Sequence, residues 1–408
     1  MLAERFSAGN GAGDPPLRAA QHLLHAGNVQ AMPAQRQPAS MDRIQNARDR
    51  VMIAARIERL MKTSSHRDRR LAWAGAAMVG MLTIAGCAAE PSTEEESLPV
   101  VATQLNWVTN VEFAGMWIAE SEGYYAEEGI VAEWLPGGPN VSNTVQIVAS
   151  GDAPIGLDTN FTSFIDAVSE GADVVLVGAV YQESPLAILS LSENPINSVE
   201  DMIGKRIGSP QGQQRELDAI FTINGLEPDY EFVPIGYDVQ ALVNGDVDGS
   251  VAFATNQGLI LEEQGVDYTS VSWQDLGLDV YSNMIFVDRT YLEENRDLVV
   301  AWLRATVKGW EKNADDPEVA AQLAVDVWGA DLGLSLSQQI KENINQIPMT
   351  TSDLTAESGL LRISAEDIEQ KMYPILRAAG MTDLPDVATY VDESLLDEVF
   401  GGSATLLR

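Results

Sequence analysis

"LPVVATQLNWVTNVEFAGMWIAESEGYYAEEGIVAEWLPGG", residues 98–138, reads as strand, helix, strand. Its opening "LPVVATQLNW" is apolar and β-branched, as a strand ending near Trp107 requires. "EFAGMWIAESEGYYAEEG" changes to helical spacing, with Phe113, Trp117 and Ile118 on one face and Gly123 and Gly129 as stops. "VAEWLPGG" is extended again and closes on a turn. The alternation continues through "VSNTVQIVASGDA", a helix that Ser142 or Asn143 can cap, "PIGLDT", a short buried strand, "NFTSFIDAVSEG", a helix, and "ADVVLVGAVYQ", a strong strand. Strands separated by single helices predict an α/β fold with a mainly parallel sheet.

The pattern restarts after "ESPLAILSLSENPINSVEDMIG". "KRIGSP" is a strand and turn, "QGQQRELDAIFTING" a helix, "YEFVPIG" a strand, "YDVQALVNGD" a helix and "VDGSVAFATNQ" a strand leading to a loop. From residue 296 the chain reads as mostly helical. Two α/β lobes follow, one of residues 100–183 plus 287–408 and one of residues 184–286. The crossings near 181–185 and 281–286 are then a two-strand hinge, and the cleft at the strand C-terminal ends is the natural ligand site.

The segment before the lobes is of another kind. Up to Cys87 there are 12 Lys and Arg against 6 Asp and Glu; after it, 13 against 54, which recovers the net charge of −35. Residues 71–86 form a charge-free run of 16, shorter than the roughly 20 a spanning helix needs. A basic stretch holding Lys62, Arg67, Arg69 and Arg70 precedes this run and small residues end it, which is the order of an export signal over 61–86. "IAGC" at 84–87 resembles the lipobox of bacterial lipoproteins, in which the cysteine is lipidated and the signal is cut before it. Cys87 then anchors the protein to the cell membrane, and residues 87–99, polar with two prolines, are a linker. A signal at Met61 makes residues 1–60 a mis-set start or, in the alternative, a disordered arm.

Composition excludes several chemistries. All three histidines, His22, His25 and His66, precede Cys87, the only cysteine, so the mature chain cannot build a Ser-His-Asp or Cys-His centre or a His-ligated zinc. "DVDG" at 246–249 lacks the twelve-residue ligand spacing of a calcium loop. Strong acidity argues against nucleic acid as a partner. Neither a metal nor a cofactor is expected.

The residues 105–107 (LNW), 110–117 (NVEFAGMW), 123–125 (GYY) and 137–139 (GGP) resemble the opening of solute-binding proteins related to thiamine pyrimidine synthase. So do "GLDT" at 156–159, "KRIG" at 205–208 and "LVNGDVDGSVAFATNQ" at 242–257. The resemblance covers nearly the whole mature chain. It implies a periplasmic-binding-protein-like fold of type II and a monomeric binding component that works with the permease and ATPase of an ABC importer. Members bind pyrimidine precursors of thiamine, close relatives riboflavin, and distant ones alkanesulfonates or nitrate. The eukaryotic enzymes on this fold carry a cysteine-rich motif and an essential histidine, and the mature part of this chain has neither, so no catalytic residue is expected.

Sulfonates and nitrate need fixed positive charge, commonly an Arg in the cleft. The loops here offer Trp107, Trp117, Tyr181, Phe253 and Tyr281 beside Asn106, Glu112, Asp158, Thr159, Gln182, Gln211 and Asn256. Flat faces with amide and acid edges suit a small, neutral or weakly basic aromatic heterocycle. Trp107 is either a stacking face or core, Trp117 fits core better, and Glu112 and Asp158 are ligand contacts or helix caps.

Overall fold

The computed structural model describes residues 97–141 and 143–407. The 1–60 extension, the 61–86 signal, Cys87, most of the linker and Ser142 lie outside the described residues. Among the described residues ten strands form two five-stranded sheets: β1 (Val100–Gln104), β2 (Val131–Leu135), β3 (Ile155–Asp158), β4 (Val174–Tyr181), β5 (Leu186–Leu191), β6 (Arg206–Ser209), β7 (Glu231–Pro234), β8 (Gly249–Phe253), β9 (Tyr268–Ser272) and β10 (Ser282–Asp288). The orders are β2-β1-β3-β10-β4 and β7-β6-β8-β5-β9, one sheet to each of two α/β lobes.

Both sheets are mixed rather than mainly parallel. β1 is parallel to β2 and β3, and β6 to β7 and β8, but β10 is antiparallel to β3 and β4, and β5 to β8 and β9. The cause is the crossing. β5 and β10 each enter a sheet on arrival from the other lobe, so they start where β1, β3 and β8 end and run the opposite way. Ser282 at the start of β10 pairs with Tyr181 at the end of β4, which sets the two crossings side by side. Leu186 likewise pairs with Phe253 at the end of β8.

Residues 112–129 fold as read, with local breaks. A 3-10 turn (Val111–Phe113) leads into helix Ala114–Glu122, and Gly123 ends it at φ 83, a value that favours glycine. Phe113, Trp117 and Ile118 are buried, and Trp117 stacks on Trp328 with centroids 4.6 Å apart, so Trp117 is core. The EFAG glycine has a packing reason. Helix Ala114–Glu122 lies against helix Arg296–Asp315, where a Cβ on Gly309 would fall 1.9 Å from the Gly115 carbonyl oxygen and one on Gly115 would strike the Trp310 ring. Asn143 caps helix Thr144–Ala149 through its side chain, which accepts from the Gln146 amide. The helix expected over 237–246 is one turn, Gln240–Val243.

β4, the last strand of its sheet, is buried along its length. C-terminal segments cover it: Leu361 and Tyr390 carbonyls accept from the Ala179 and Leu176 amides at 3.0 and 2.6 Å. An unpaired edge is thereby closed. Among the described residues no helix is long and apolar enough to cross a membrane.

Candidate functional site

Strand ends from both lobes border a cavity of about 160 Å³. From the first lobe come Asn106 and Trp107, just past β1, Glu112 on the 3-10 turn, and Thr159, just past β3; the second lobe contributes Phe253 at the end of β8 and Asn256, which precedes helix Gln257–Glu263. Gly137 sets the first of these. A Cβ there would lie 2.3 Å from the Leu105 carbonyl oxygen and 2.6 Å from the Trp107 nitrogen, while its own amide donates to the Trp107 carbonyl at 2.9 Å. The turn after β2 therefore clamps the Trp107 loop, and Trp107 is neither free nor core. Its ring meets that of Tyr237 from the other lobe edge-on, with centroids 4.8 Å apart.

Beneath the rings lies a buried polar network. Glu112 Oε1 accepts from Asn106 Nδ2 at 2.8 Å and from Asn283 Nδ2 at 2.9 Å. Asn283 is fully buried and holds a left-handed φ of 45, unusual for a strand residue, and so marks local strain at the site. Asn110 links two carboxylates: its Oδ1 accepts from the Glu112 amide at 3.1 Å, and its Nδ2 donates to Glu342 Oε1 at 3.2 Å. Glu342 Oε2 accepts from Gln339 at 2.9 Å and from Asn256 of the other lobe at 2.8 Å. Burial pushes Glu112 above the ordinary carboxylate value, against the lowering pull of the Asn106 and Asn283 amides. Burial, with the Glu112 charge beside it, pushes Glu342 up to about 8.

Asn106, Trp107, Glu112, Thr159, Phe253 and Asn256 come together on the cavity as the sequence suggests. The other proposed residues do not line it. Asp158, half-buried at the end of β3, accepts from the Thr144 hydroxyl at 2.5 Å and the Asn160 amide at 2.9 Å, and loss of solvent around its carboxyl raises its pKa. Tyr181 is buried in the core among β1, β4 and helix Arg296–Asp315 and donates to Gln346 Oε1 at 2.6 Å. Gln182 is held by the Arg362 carbonyl and the Ser352 hydroxyl. Tyr281 accepts from the Ser364 amide at 3.1 Å, and Gln211 is exposed on its turn. Asn110, Tyr237, Asn283 and Glu342 are the participants that sequence reasoning missed.

Among the described residues, no Lys, Arg or His lines the cavity. Arg206 is spent on Asp248 at 2.9 Å and on the Gly245 and Asp246 carbonyls. Arg215 pairs with Asp166 across the lobes at 2.8 Å, and on helix Leu336–Gln346 Lys341 pairs with Glu262 of the other lobe at 2.6 Å. These contacts, with Asn256 on Glu342, hold the two lobes together.

Comparison with known proteins places this geometry in a family. The chain is 29% identical to riboflavin-binding protein RibY of Chloroflexus aurantiacus over 73% of its own length and 86% of the relative's. It is 26% identical to the formylaminopyrimidine-binding protein of Halalkalibacterium halodurans, over 60% and 75%. It is 28% identical to a 4-amino-5-hydroxymethyl-2-methylpyrimidine phosphate synthase of Legionella pneumophila, over 55% and 72%. Among solved structures, the periplasmic aliphatic sulphonate binding protein SsuA of Escherichia coli superposes with a TM-score of 0.57 at 16% identity, over 73% of this chain and 99% of that one. That likeness shows the periplasmic-binding-protein fold. The family model described as NMT1/THI5 like matches residues 110–320, just over half of the chain and most of what builds the cleft, and the protein belongs to that family.

Proposed function

We propose that the protein is the substrate-binding lipoprotein of an ABC importer, anchored outside the cytoplasm through Cys87, and that it captures a thiamine pyrimidine precursor of the hydroxymethylpyrimidine or formylaminopyrimidine type. The lobes close on the ligand and present it to the permease and ATPase unchanged. The observation that carries this reading is the cavity: about 160 Å³, with Trp107, Tyr237 and Phe253 on it and, among the described residues, no cationic side chain. A void of about 150 Å³ accommodates a benzene ring, so the site suits one six-membered ring with small substituents. Rings bring area and amides bring edge hydrogen bonds. The formylaminopyrimidine-binding relative supports the same class.

Riboflavin is the second reading, favoured by the likeness to RibY. Its three fused rings and sugar chain need a wider cleft than this one. A sulfonate or nitrate ligand is disfavoured by the pairing of Arg206 and Arg215 elsewhere. Against turnover stands the lack of any His or Cys after residue 87.

The test is thermal melting of the purified protein with pyrimidines, flavins and sulfonates, joined to mass spectrometry of whatever co-purifies. A ligand at 100 times its Kd stabilises by about 2.7 kcal/mol, a readable upward shift. The expected result is a shift with hydroxymethylpyrimidine or formylaminopyrimidine. A shift with sulfonates alone overturns the reading.

A further inference from the structure

The Glu112 carboxylate and the Asn106 amide line the same cavity, and their hydrogen bonds are used unevenly. Asn106 Nδ2 donates to Glu112 Oε1 and, at 3.4 Å, to Asn283 Oδ1. Both neighbours are acceptors, which fixes the amide's orientation. The opposite atom, Asn106 Oδ1, is buried and meets no donor among the described residues. Glu112 spends Oε1 on two amides, and no described donor meets its Oε2. Glu112 is only 5% exposed. Glu112 Oε2 is therefore an acceptor left open beside the buried Asn106 oxygen, in a place where an unmet acceptor is costly.

Charge points the same way. Glu112 is buried and, among the described residues, no cation lines the cavity to compensate it; Glu342, 3% exposed and tied to it through Asn110, adds a second charge only above about pH 8. A buried charge without a partner is unfavourable, and a ligand can supply the partner.

We propose that the cleft selects its ligand as a cation, seating the donor edge of an amidinium or a ring-protonated aminopyrimidine on the Glu112 carboxylate, whose Oε2 no described donor meets. The inference rests on the single-ring site proposed above and adds the ligand's charge and edge. A neutral aminopyrimidine alternates an amino donor with a ring-nitrogen lone pair, so one of its two atoms would face an acceptor. Protonation of that ring nitrogen turns it into a donor, and the pair becomes a charge-assisted contact.

The test is calorimetric titration with four probes: benzamidine, its neutral isostere benzamide, 4-amino-5-hydroxymethyl-2-methylpyrimidine and its 4-oxo counterpart. The expected result is benzamidine binding at least about tenfold tighter than benzamide, and the amino- tighter than the oxopyrimidine, since a charge-assisted bond exceeds a neutral one by that order. In Glu112→Gln the preference falls to within about threefold, and Glu342→Gln, the second variant should the first not fold, reduces the benzamidine preference through lost charge in titrations at about pH 9, where Glu342 is ionised. Benzamidine binding without either pyrimidine supports the inference and sinks the pyrimidine reading. Equal binding of amidine and amide, with a pyrimidine still bound, overturns the inference and leaves that reading standing. Failure of all four overturns both.

Discussion

Glu342 holds a proton that the unfolded chain gives up. Its pKa of about 8 stands above the ordinary carboxylate value, so between roughly pH 4.3 and 8 the native state binds the proton and the unfolded state does not. Stability from this residue is fully present at the acid end and is lost as pH rises through about 8. Glu342→Gln removes the dependence, and its melting temperature relative to the parent protein should climb steadily from pH 5 to pH 9; a flat difference refutes the assignment. Trp107 and Tyr237 are the second residue-scale test. Each replaced by Ala should weaken pyrimidine binding by about tenfold in titration calorimetry, because a ring face contributes roughly 0.5–1.5 kcal/mol beyond its area. Glu112 and Trp107 were legible in the sequence because they sit in a patterned segment beside a strand end. Tyr237 was not, since "IGYDVQ" has no periodicity, although an aromatic just past a strand end matches Trp107 after β1. Glu342 was hidden by its neighbours. Gln339, Glu342, Asn343 and Gln346 are all buried at spacings that make one helix face, and a polar stripe reads from sequence as the solvent side.

Elements were legible where pattern is local and obscure where partnership decides. β1 to β4 and the helices between them follow from periodicity, but nothing within β10 says that it inserts antiparallel between β3 and β4. Its direction is fixed by where the chain has just been. The contact of helix Ala114–Glu122 with helix Arg296–Asp315 gives the element-scale prediction. Gly309→Ala places a methyl within 1.9 Å of the Gly115 carbonyl oxygen, against backbone that cannot swing aside. Overpacking of this kind costs about 1–3 kcal/mol, so the variant should melt several degrees lower with unchanged ligand class. An unaltered melting curve would mean that the helices are further apart.

At the scale of the whole molecule, two lobes joined by two adjacent crossings meet over the cleft through contacts on separate elements. The Arg215–Asp166 pair at 2.8 Å is 44% and 39% exposed, so it shifts the balance between closed and open forms only a few-fold. Arg215→Glu should enlarge the radius of gyration measured by small-angle scattering without ligand, and the added change Asp166→Arg should restore it. No change in either variant removes the pair from the closing contacts. The order β2-β1-β3-β10-β4 reaches further, into synthesis. The gap between β3 and β4 stays unfilled until Ser282–Asp288 has left the ribosome, although every strand of the other sheet has already been made. A nascent or truncated chain ending before Ser282 thus leaves β3 open on one side and β4 on both, a natural hold for chaperones and a reason for the second lobe to mature first.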